Sequence, residues 1–503
     1  MRKMSLLILL TAMAFHVKAQ KDNKIVIGKV DSVYSKILNE QRKVWIYTPD
    51  MTSGFRDSTK HYPVVYLLDG DAHFTSVTGL IQQLSQANSN TVYPEMIIVA
   101  IPNTDRTRDL TPTHITSDLP NMDSNFSKTT GGGENFVSFI EKELMPHIDS
   151  AYPTEPYRIL IGHSFGGLTV MNVLTNHTQL FNAYIAIDPS MWYDKERFLA
   201  ATEKKLMEKK YDGRRLFVGI ANTLPEGVTL DKLKKDTASN TRHIRSIFAM
   251  DKFIKANPKN GLKYASRYYS NDDHGSVPLA SEYDGLRFIF DYYRLKLNAK
   301  DFEDSSVAVV TKYQNHYDIV SKEMGFKVSP PELSINSLGY FAMRQKQYAK
   351  AAALFEMNIA NYPNSSNVYD SYADLLVSQK DTANAIANYK KALAIQDNDD
   401  TKRKLNELEG KEVFTLTPQQ LQQYAGEFDI ENEPVTVTFF VKDEALWAKV
   451  PDRDDAELVP IALNTFSVKN VNGYRVQFEM DGDKAVSFTS TQPDGVYKGN
   501  VKK

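Results

Sequence analysis

The sequence contains no cysteine among its 503 residues. This absence excludes disulfides, thiolate metal sites, a cysteine nucleophile and a lipid-modified N-terminal cysteine. Neither sign of charge is in excess, because 60 Lys and Arg residues are balanced by 62 Asp and Glu residues. A chain this close to neutral lacks the strongly basic face that non-specific nucleic-acid binding needs, so we expect no nucleic-acid partner.

Long hydrophobic runs are also absent, since no apolar run reaches the roughly 20 residues that span a bilayer. A shorter apolar run, Ser5–Phe15, follows the basic residues Arg2 and Lys3. The tripeptide Val17-Lys18-Ala19 then fits a cleavage site before Gln20. This pattern predicts a cleaved signal peptide over residues 1–19, a secreted or periplasmic protein, and no integral membrane segment in the mature chain.

Short apolar runs alternate with longer amphipathic stretches over residues 20–298. Eight runs are strand candidates, of which the first two form an antiparallel pair: Lys24–Val30, Arg42–Thr48, Tyr62–Leu68, Met96–Ile101, Arg158–Ile161, Ala183–Ile187, Arg215–Ile220 and Leu262–Tyr269. Six stretches are helix candidates: His73–Gln86, Glu134–Ile148, Gly167–Asn176, Lys195–Lys209, Thr241–Lys255 and Pro278–Leu297. The alternation predicts a mostly parallel eight-stranded sheet with helices on both faces, in an α/β-hydrolase order.

Three regions of different composition follow this domain. Residues 299–330 are predicted to be a polar connector. Residues 331–410 read as helical throughout and repeat with a period of 34, since Gln345-Lys346 recurs at Gln379-Lys380. That period is typical of tetratricopeptide repeats, and ordinary helical hairpins in chance register are the alternative. Residues 411–503 contain short strands separated by turn signals, which predicts a small antiparallel β domain.

The strongest chemical motif is Gly162-His163-Ser164-Phe165-Gly166, which matches G-x-S-x-G. It follows a predicted strand and precedes a predicted helix, the context in which this motif presents a nucleophilic serine. The flanking glycines allow a tight turn that lifts the hydroxyl out of the sheet and directs the helix N-terminus at a developing oxyanion. We therefore expect Ser164 to be the nucleophile.

A serine nucleophile needs a general base, because its free hydroxyl is barely nucleophilic at neutral pH. Ten histidines are present. His274 follows the last predicted strand, where the fold places the base, and the alternative is a histidine on a surface loop. His243 is interpreted as a helix-surface residue.

The acid of the triad has four candidates. Asp188 directly follows the predicted strand Ala183–Ile187 and is preferred for that position. Glu226 follows the next strand, the commoner position, but four residues late. Asp272 and Asp273 adjoin His274, although near neighbours in a loop rarely point back at the ring. A Ser–His pair without an acid is the fourth, since the acid mainly fixes the tautomer and orientation of the histidine.

The oxyanion hole takes one N–H from the residue after the nucleophile, here Phe165. The second N–H is expected from Gly70 or Asp71, in the loop after the third strand.

Arg106 and Arg108 lie in a loop at the sheet edge that carries active-site loops, so they are candidates to bind an anionic substrate. The alternative is that they fix the loop by pairing with Asp105 and Asp109. Trp192 is a candidate pocket wall. Clustered ligand spacing is absent from the sequence, so no metal or other cofactor is expected.

Five motifs occur in order and resemble the Putative esterase family of α/β-hydrolases, which includes esterase D-like enzymes and siderophore esterases: Tyr66–Phe74, Ile101–Pro112, Gly162–Gly167, Ile187–Trp192 and Asp273–Val277. The resemblance covers about residues 24–297 and implies hydrolysis of a carboxylic ester by Ser164 and His274. Many relatives have Ser where this chain has Asp188, which leaves the acid open.

The leading hypothesis is an exported serine esterase acting on a small-molecule ester, with a siderophore lactone as one substrate class. Feruloyl or acetyl esters of plant polysaccharide are the alternative substrates. A third hypothesis is a non-catalytic scaffold that uses the helical repeats to bind a protein partner, which the sequence does not name.

Overall fold

The structure of the chain is a computed structural model that describes residues 25–49, 60–85, 87, 90–115, 126–411, 413–431, 433–451, 453–469, 474–492 and 495–502. The predicted signal peptide lies outside these residues. Within them, no helix has both the length and the apolar character needed to cross a membrane.

The first domain is built on one eight-stranded sheet with the strand order β1-β2-β4-β3-β5-β6-β7-β8. The strands are β1 (Lys29–Ser35), β2 (Glu40–Tyr47), β3 (Tyr62–Leu68), β4 (Ile97–Ile101), β5 (Thr154–His163), β6 (Ala183–Ile187), β7 (Arg215–Ala221) and β8 (Lys263–Tyr269). The sheet is mixed, because β2 runs antiparallel to both β1 and β4 while the other five pairings are parallel. Parallel strands end at the same edge, so the loops after β3, β5, β6 and β8 share one end of the sheet.

Helices cover both faces of this sheet, as expected for a mostly parallel arrangement. They are α1 (Gly70–Ser85), α2 (Arg106–Leu110), α3 (Phe126–Thr129), α4 (Gly133–Phe139), α5 (Met145–Ala151), α6 (Phe165–Asn176), α7 (Arg197–Glu208), α8 (Leu230–Leu233), α9 (Arg242–Ala256) and α10 (Val277–Ile289). A π-helical stretch, Ile140–Leu144, joins α4 to α5, and a 3₁₀ turn, Tyr193–Glu196, precedes α7. Each face of the sheet has its own apolar core, because strands such as β3 and β6 are buried along their whole length.

The first strand is displaced from its predicted position. The sequence pattern placed it at Lys24–Val30, whereas β1 begins at Lys29 and pairs with β2 across a tight turn. The turn ends at Asn39, whose φ of 55° is in the left-handed region that asparagine tolerates better than most residues. The turn at Asn39 therefore sets where β1 pairs with β2, and the apolar residues before β1 do not.

The predicted connector, residues 299–330, contains two helices, α11 (Ala299–Glu303) and α12 (Ala308–Met324). Helix α12 contributes to two cores. Its C-terminal residues Val320 and Met324 are buried in one core of the first domain, whereas Val309 and Val310 are buried among the helices that follow. The segment is thus a packed junction, which its polar composition did not indicate.

The next region consists of five helices, α13 (Glu332–Arg344), α14 (Tyr348–Asn361), α15 (Ser366–Ser378), α16 (Thr382–Ile395) and α17 (Asp399–Leu408). Helices α13 and α15 begin 34 residues apart, and so do α14 and α16. Buried Ala351 and Ala385 occupy equivalent positions, where small side chains allow close helix approach. These features agree with the helical prediction, and the tetratricopeptide assignment remains a prediction.

The last region is a closed antiparallel barrel entered through a short helix, α18 (Pro418–Leu421). Its strands are β9 (Gly426–Ile430), β10 (Thr436–Lys442), β11 (Ala445–Lys449), β12 (Ala456–Ala462), β13 (Thr465–Val468), β14 (Arg475–Asp481), β15 (Lys484–Gln492) and β16 (Gly495–Val501). The antiparallel prediction is confirmed. Pairing of β16 with β9 closes the strands into a barrel, which the sequence pattern did not predict.

We expect Met324→Ala to lower the free energy of unfolding of the first domain by about 2–5 kcal/mol, because it leaves a cavity in a packed core. Ile319→Ala on the same helix is the matched control. Its side chain is exposed, so the change should stay within about 0.5 kcal/mol. Denaturant unfolding followed by circular dichroism measures both, and equal effects would contradict the packing of α12 on the first domain.

Candidate active site

Ser164 lies in the turn between β5, which ends at His163, and α6, which begins at Phe165. Its backbone is strained, with φ of 59° and ψ of −111°. The turn is held because the Ser164 N–H donates to the Ile187 carbonyl oxygen at 2.9 Å, and the Ser190 N–H donates to the Ser164 carbonyl oxygen at 3.1 Å. Strain of this kind persists only when its surroundings enforce it, and it is concentrated at functional sites.

The turn also requires glycine at the first position of the motif. A Cβ on Gly162 would lie 2.4 Å from backbone atoms of Gly166, a distance that real Cβ atoms do not show. The two chain segments can therefore cross only if this position has no side chain. The Ser164 hydroxyl is 3.4 Å from the Ser190 hydroxyl, its hydrogen-bond partner among the described residues.

Asp188 follows β6 directly and is fully buried. Its Oδ2 accepts a hydrogen bond from Nδ1 of His274 at 2.6 Å, and its Oδ1 accepts the Ala221 N–H at 3.0 Å. Burial would raise the pKa of the Asp188 carboxyl, but hydrogen bonds from His243 and His274 outweigh it and hold that pKa well below its usual value. The structure thus joins the predicted acid to the predicted base, with the acid ionised.

A second histidine shares this carboxylate, and sequence reasoning missed it. Nε2 of His243 lies 2.7 Å from the same Oδ2 of Asp188, and the His243 ring is edge-on to the His274 ring at a centroid distance of 5.2 Å. The interpretation of His243 as a helix-surface residue is therefore wrong, because the N-terminal turn of α9 directs it at the end of β6. The sequence held no signal for this contact, since 55 residues separate the two partners.

Two further imidazoles continue this row beyond His274. The His163 ring lies 4.5 Å from the His274 ring, and the His73 ring lies 5.8 Å from His163. Burial, followed by the charges of His274 and His73, lowers the pKa of His163 to about 4. His163 is therefore neutral at physiological pH and adds no positive charge beside His274. At the end of the row, Nδ1 of His73 lies 3.2 Å from the buried carboxylate of Glu282.

The loop after β3 lies against the serine turn. A Cβ on Gly166 would lie 3.0 Å from Oδ2 of Asp69, so the two segments are in close approach. Gly70 begins α1, and a Cβ there would lie 2.7 Å from the backbone nitrogen of Ile101. The structure therefore brings the start of α1, with Gly70 and Asp71, next to the start of α6 with Phe165.

The Arg106 guanidinium binds the loops on either side of the serine turn. Its Nε and one terminal nitrogen bind the two oxygens of Asp69 at 2.6 and 3.0 Å, and the same terminal nitrogen donates to the His163 carbonyl oxygen at 3.2 Å. Both contacts are to the loops that surround Ser164. Arg106 therefore holds these loops together, and its predicted role in substrate binding stays a prediction.

Arg108 is occupied in the same way, since its guanidinium binds Glu40 and Asp109 at 2.6 and 2.7 Å. The pair with Asp109 agrees with the loop-fixing alternative, and the predicted contact of Arg108 with substrate stays a prediction. Trp192 is half-buried, with its ring 6.0 Å from the ring of Phe165 beside Ser164, and its role as a pocket wall stays a prediction.

The other acid candidates lie outside this arrangement. Glu226 is exposed on the loop after β7. Asp273 accepts the N–H groups of Gly275 and Ser276 with Oδ1, so its carboxylate supports the turn into α10. Among the described residues, Asp188 is the carboxylate that contacts the His274 ring.

Asp188, His243 and His274 also form the group of described residues that has metal-ligating geometry, with donor atoms within 4.8 Å of one another. A metal there would take Nδ1 of His274 and displace the hydrogen bond that orients this ring. Hydrogen bonding to Asp188 already accounts for the positions of all three side chains.

The depressed pKa of His163 predicts a pH-dependent stability. An unfolded histidine takes up a proton near pH 6.5, whereas folded His163 does so only near pH 4. Its contribution is therefore intact above pH 6.5 and is lost as the pH falls towards 4, at a cost of up to about 3 kcal/mol. Urea unfolding measures the free energy of unfolding at pH 7 and at pH 4.5. Between these two pH values, His163→Gln should lose less of it than the wild type does. Equal losses would contradict the low pKa of folded His163.

Comparisons with known proteins place this architecture among esterases. A family model described as Putative esterase matches residues 35–257. The solved structure of an IroE-like serine hydrolase from Shewanella oneidensis is 32% identical, with a TM-score of 0.55, and the match covers 66% of this chain and 98% of that one.

Curated relatives match over shorter stretches. Ferri-bacillibactin esterase BesA of Bacillus subtilis is 34% identical over 28% of this chain and 52% of its own length. The siderophore enterobactin esterase of Emericella nidulans is 25% identical over 46% of this chain and 83% of its own length. The match thus spans about half of the first relative and most of the second. With the strained serine turn inside the matched region, these similarities show that the chain belongs to the Putative esterase family.

Proposed function

We propose that the chain is a serine esterase that hydrolyses a carboxylic ester through an acyl-enzyme. The observation that carries this proposal is the 2.6 Å contact between buried Asp188 and Nδ1 of His274, at the sheet edge where the strained Ser164 turn also lies. A buried acid, an oriented imidazole and a serine on a sharp strand-to-helix turn form the arrangement that activates a hydroxyl nucleophile.

In the proposed reaction, Nε2 of His274 removes the proton of the Ser164 hydroxyl while Oγ attacks the ester carbonyl carbon. The resulting imidazolium keeps its Nδ1–H bonded to ionised Asp188, which stabilises the new positive charge. His274 then protonates the departing alkoxide, and the acyl group remains on Ser164. A water molecule that gives its proton to His274 attacks the acyl-enzyme, releasing the acid and restoring Ser164.

The oxyanion of each tetrahedral intermediate is expected to accept the N–H of Phe165 and one N–H from Gly70 or Asp71. Support comes from the close approach of the two loops, in which Gly166 lies against Asp69. Both segments begin helices, and the dipole at a helix N-terminus favours negative charge. The clamp of Arg106 on Asp69 keeps these donors in place without a rearrangement during the reaction.

For the substrate, we propose a siderophore ester, since the curated relatives named above act on siderophores according to their names. The predicted signal peptide fits an enzyme that meets this substrate outside the cytoplasm. Feruloyl and acetyl esters are the competing substrates. A non-catalytic scaffold is disfavoured, because Ser164 keeps its strained turn and His274 keeps its hydrogen bond to Asp188.

Ser164→Ala should remain folded and lose about 10³-fold or more in ester turnover, because only oxyanion stabilisation and binding remain. Initial rates on p-nitrophenyl acetate, p-nitrophenyl butyrate, a ferulate ester and enterobactin would measure this loss and rank the substrates. A fluorophosphonate probe should label the wild type and not the variant. Unchanged turnover of the purified variant would reject the nucleophile, and preference for the ferulate ester would reject the siderophore substrate.

Asp188→Asn should reduce turnover by up to about 10⁴-fold, because an amide cannot stabilise the imidazolium and favours the wrong tautomer of His274. Glu226→Gln is the matched control, and we expect less than about a tenfold loss for this exposed carboxylate. Initial rates on one activated ester decide between them, with circular dichroism confirming that both variants fold. The reverse ranking would assign the acid to Glu226, and small losses in both would favour a Ser–His pair.

A further inference from the structure

The His243 side chain is the part of the site that the esterase mechanism does not use. Nε2 of His243 lies 2.7 Å from Oδ2 of Asp188, and Nδ1 of His274 lies 2.6 Å from that same oxygen. The other oxygen, Oδ1, is bonded to the Ala221 N–H. The two imidazoles therefore divide one carboxylate oxygen between them, although the mechanism requires only His274.

The His243 side chain is held in this position by its surroundings. It lies in the first turn of α9, and Ser246 anchors that turn by donating to the His243 carbonyl oxygen at 2.7 Å. Its Nδ1 is buried and has no hydrogen-bond partner among the described residues, so Asp188 is the partner that fixes the ring. Only about a fifth of the side chain is exposed. Its contact with the site is through Asp188.

A carboxylate oxygen that accepts two N–H donors carries less negative charge for each of them. The hydrogen bond from His243 thus stabilises ionised Asp188 and, at the same time, reduces the attraction of Oδ2 for a proton on His274. A histidine facing an unshared aspartate is more basic and is protonated at a higher pH.

We propose that His243 is a positioning residue that, by sharing Oδ2 of Asp188, fixes the rotamer of the acid and sets the pH at which His274 becomes a base. The inference rests on the proposed function of Ser164 and His274 and extends it. The charged and titratable groups that interact with the two rings are Asp188 after β6, His163 at the end of β5 and Asp273 before α10. On α9 itself, Arg242 and Arg245 flank His243 in the sequence, and Arg245 binds Thr241 and the Ala238 carbonyl oxygen.

Two substitutions separate the hydrogen bond from the packing of the ring. His243→Phe keeps an aromatic ring against His274 and removes the donor. His243→Gln loses the ring but keeps an N–H that can reach Asp188. His177→Gln is the matched control, since His177 caps the C-terminal end of α6, opposite the end at Ser164, and bonds to Glu134 at 2.9 Å.

The first measurement is the pH profile of kcat/KM on an activated ester. His243→Phe should move the acidic limb to higher pH by about half a unit or more, equivalent to about threefold lower kcat/KM on that limb. His243→Gln should stay close to the wild type, and His177→Gln should coincide with it. The proposal is overturned if His243→Phe leaves the acidic limb in place. It is also overturned if His243→Gln moves that limb as far as His243→Phe does.

The second measurement does not depend on turnover. The imidazole resonances of His274 are followed by NMR during a pH titration of the full chain, with the signal assigned by its loss in His274→Gln. In His243→Phe, His274 should titrate at a higher pH than in the wild type. If the wild type hydrolyses no ester, the proposed function fails while this titration still tests His243. If the wild type is active and the titration is unchanged, the role of His243 fails alone.

Discussion

The buried carboxylate of Asp188 is the interaction on which the rest of the site depends. An ionised group with no exposed surface is strongly destabilising unless hydrogen bonds replace its water. Here the donors are the Ala221 N–H at the end of β7, His243 on α9 and His274 before α10. One desolvated charge thus draws three separate elements to the end of β6, and orientation of the base is a consequence of satisfying that charge. Loss of any donor leaves the charge partly uncompensated.

The serine turn is held by a comparable contact on its other side. Arg106 binds both oxygens of Asp69 and also the carbonyl oxygen of His163, so one guanidinium joins the loop after β3 to the last residue before Ser164. A planar guanidinium with fixed donors suits this better than lysine, because it can satisfy a carboxylate and a carbonyl together. The strain at Ser164 is therefore maintained from two directions, by the carbonyl of Ile187 and by this clamp.

Local signals explain what could be predicted from the sequence. The strands β3 and β6 match their predicted bounds because both are uninterrupted apolar runs, and the turn at Ser164 follows from its glycines. The approach of Asp188 to His274 follows from the edge that parallel strand ends share. His243 could not be predicted in its role, because its partner is 55 residues away, and neither could the pairing of Arg106 with Asp69 across 37 residues. Such contacts depend on how α2 and α9 pack, which periodicity does not encode.

The packing of α12 has a consequence for the helical region. Val320 and Met324 of α12 are buried in the first domain. Glu323 of the same helix forms an ion pair, at 3.0 Å, with the buried Arg215 of β7. The other end of α12 lies in the core of the helical region, so rotation of the two regions against each other would expose apolar surface on both sides. The barrel is attached to the helical region differently. Its interior is filled by aromatic side chains of its own core. The ion pair that joins it to the helical region, from Arg475 to Asp399, is on the surface, where such pairs contribute little to stability.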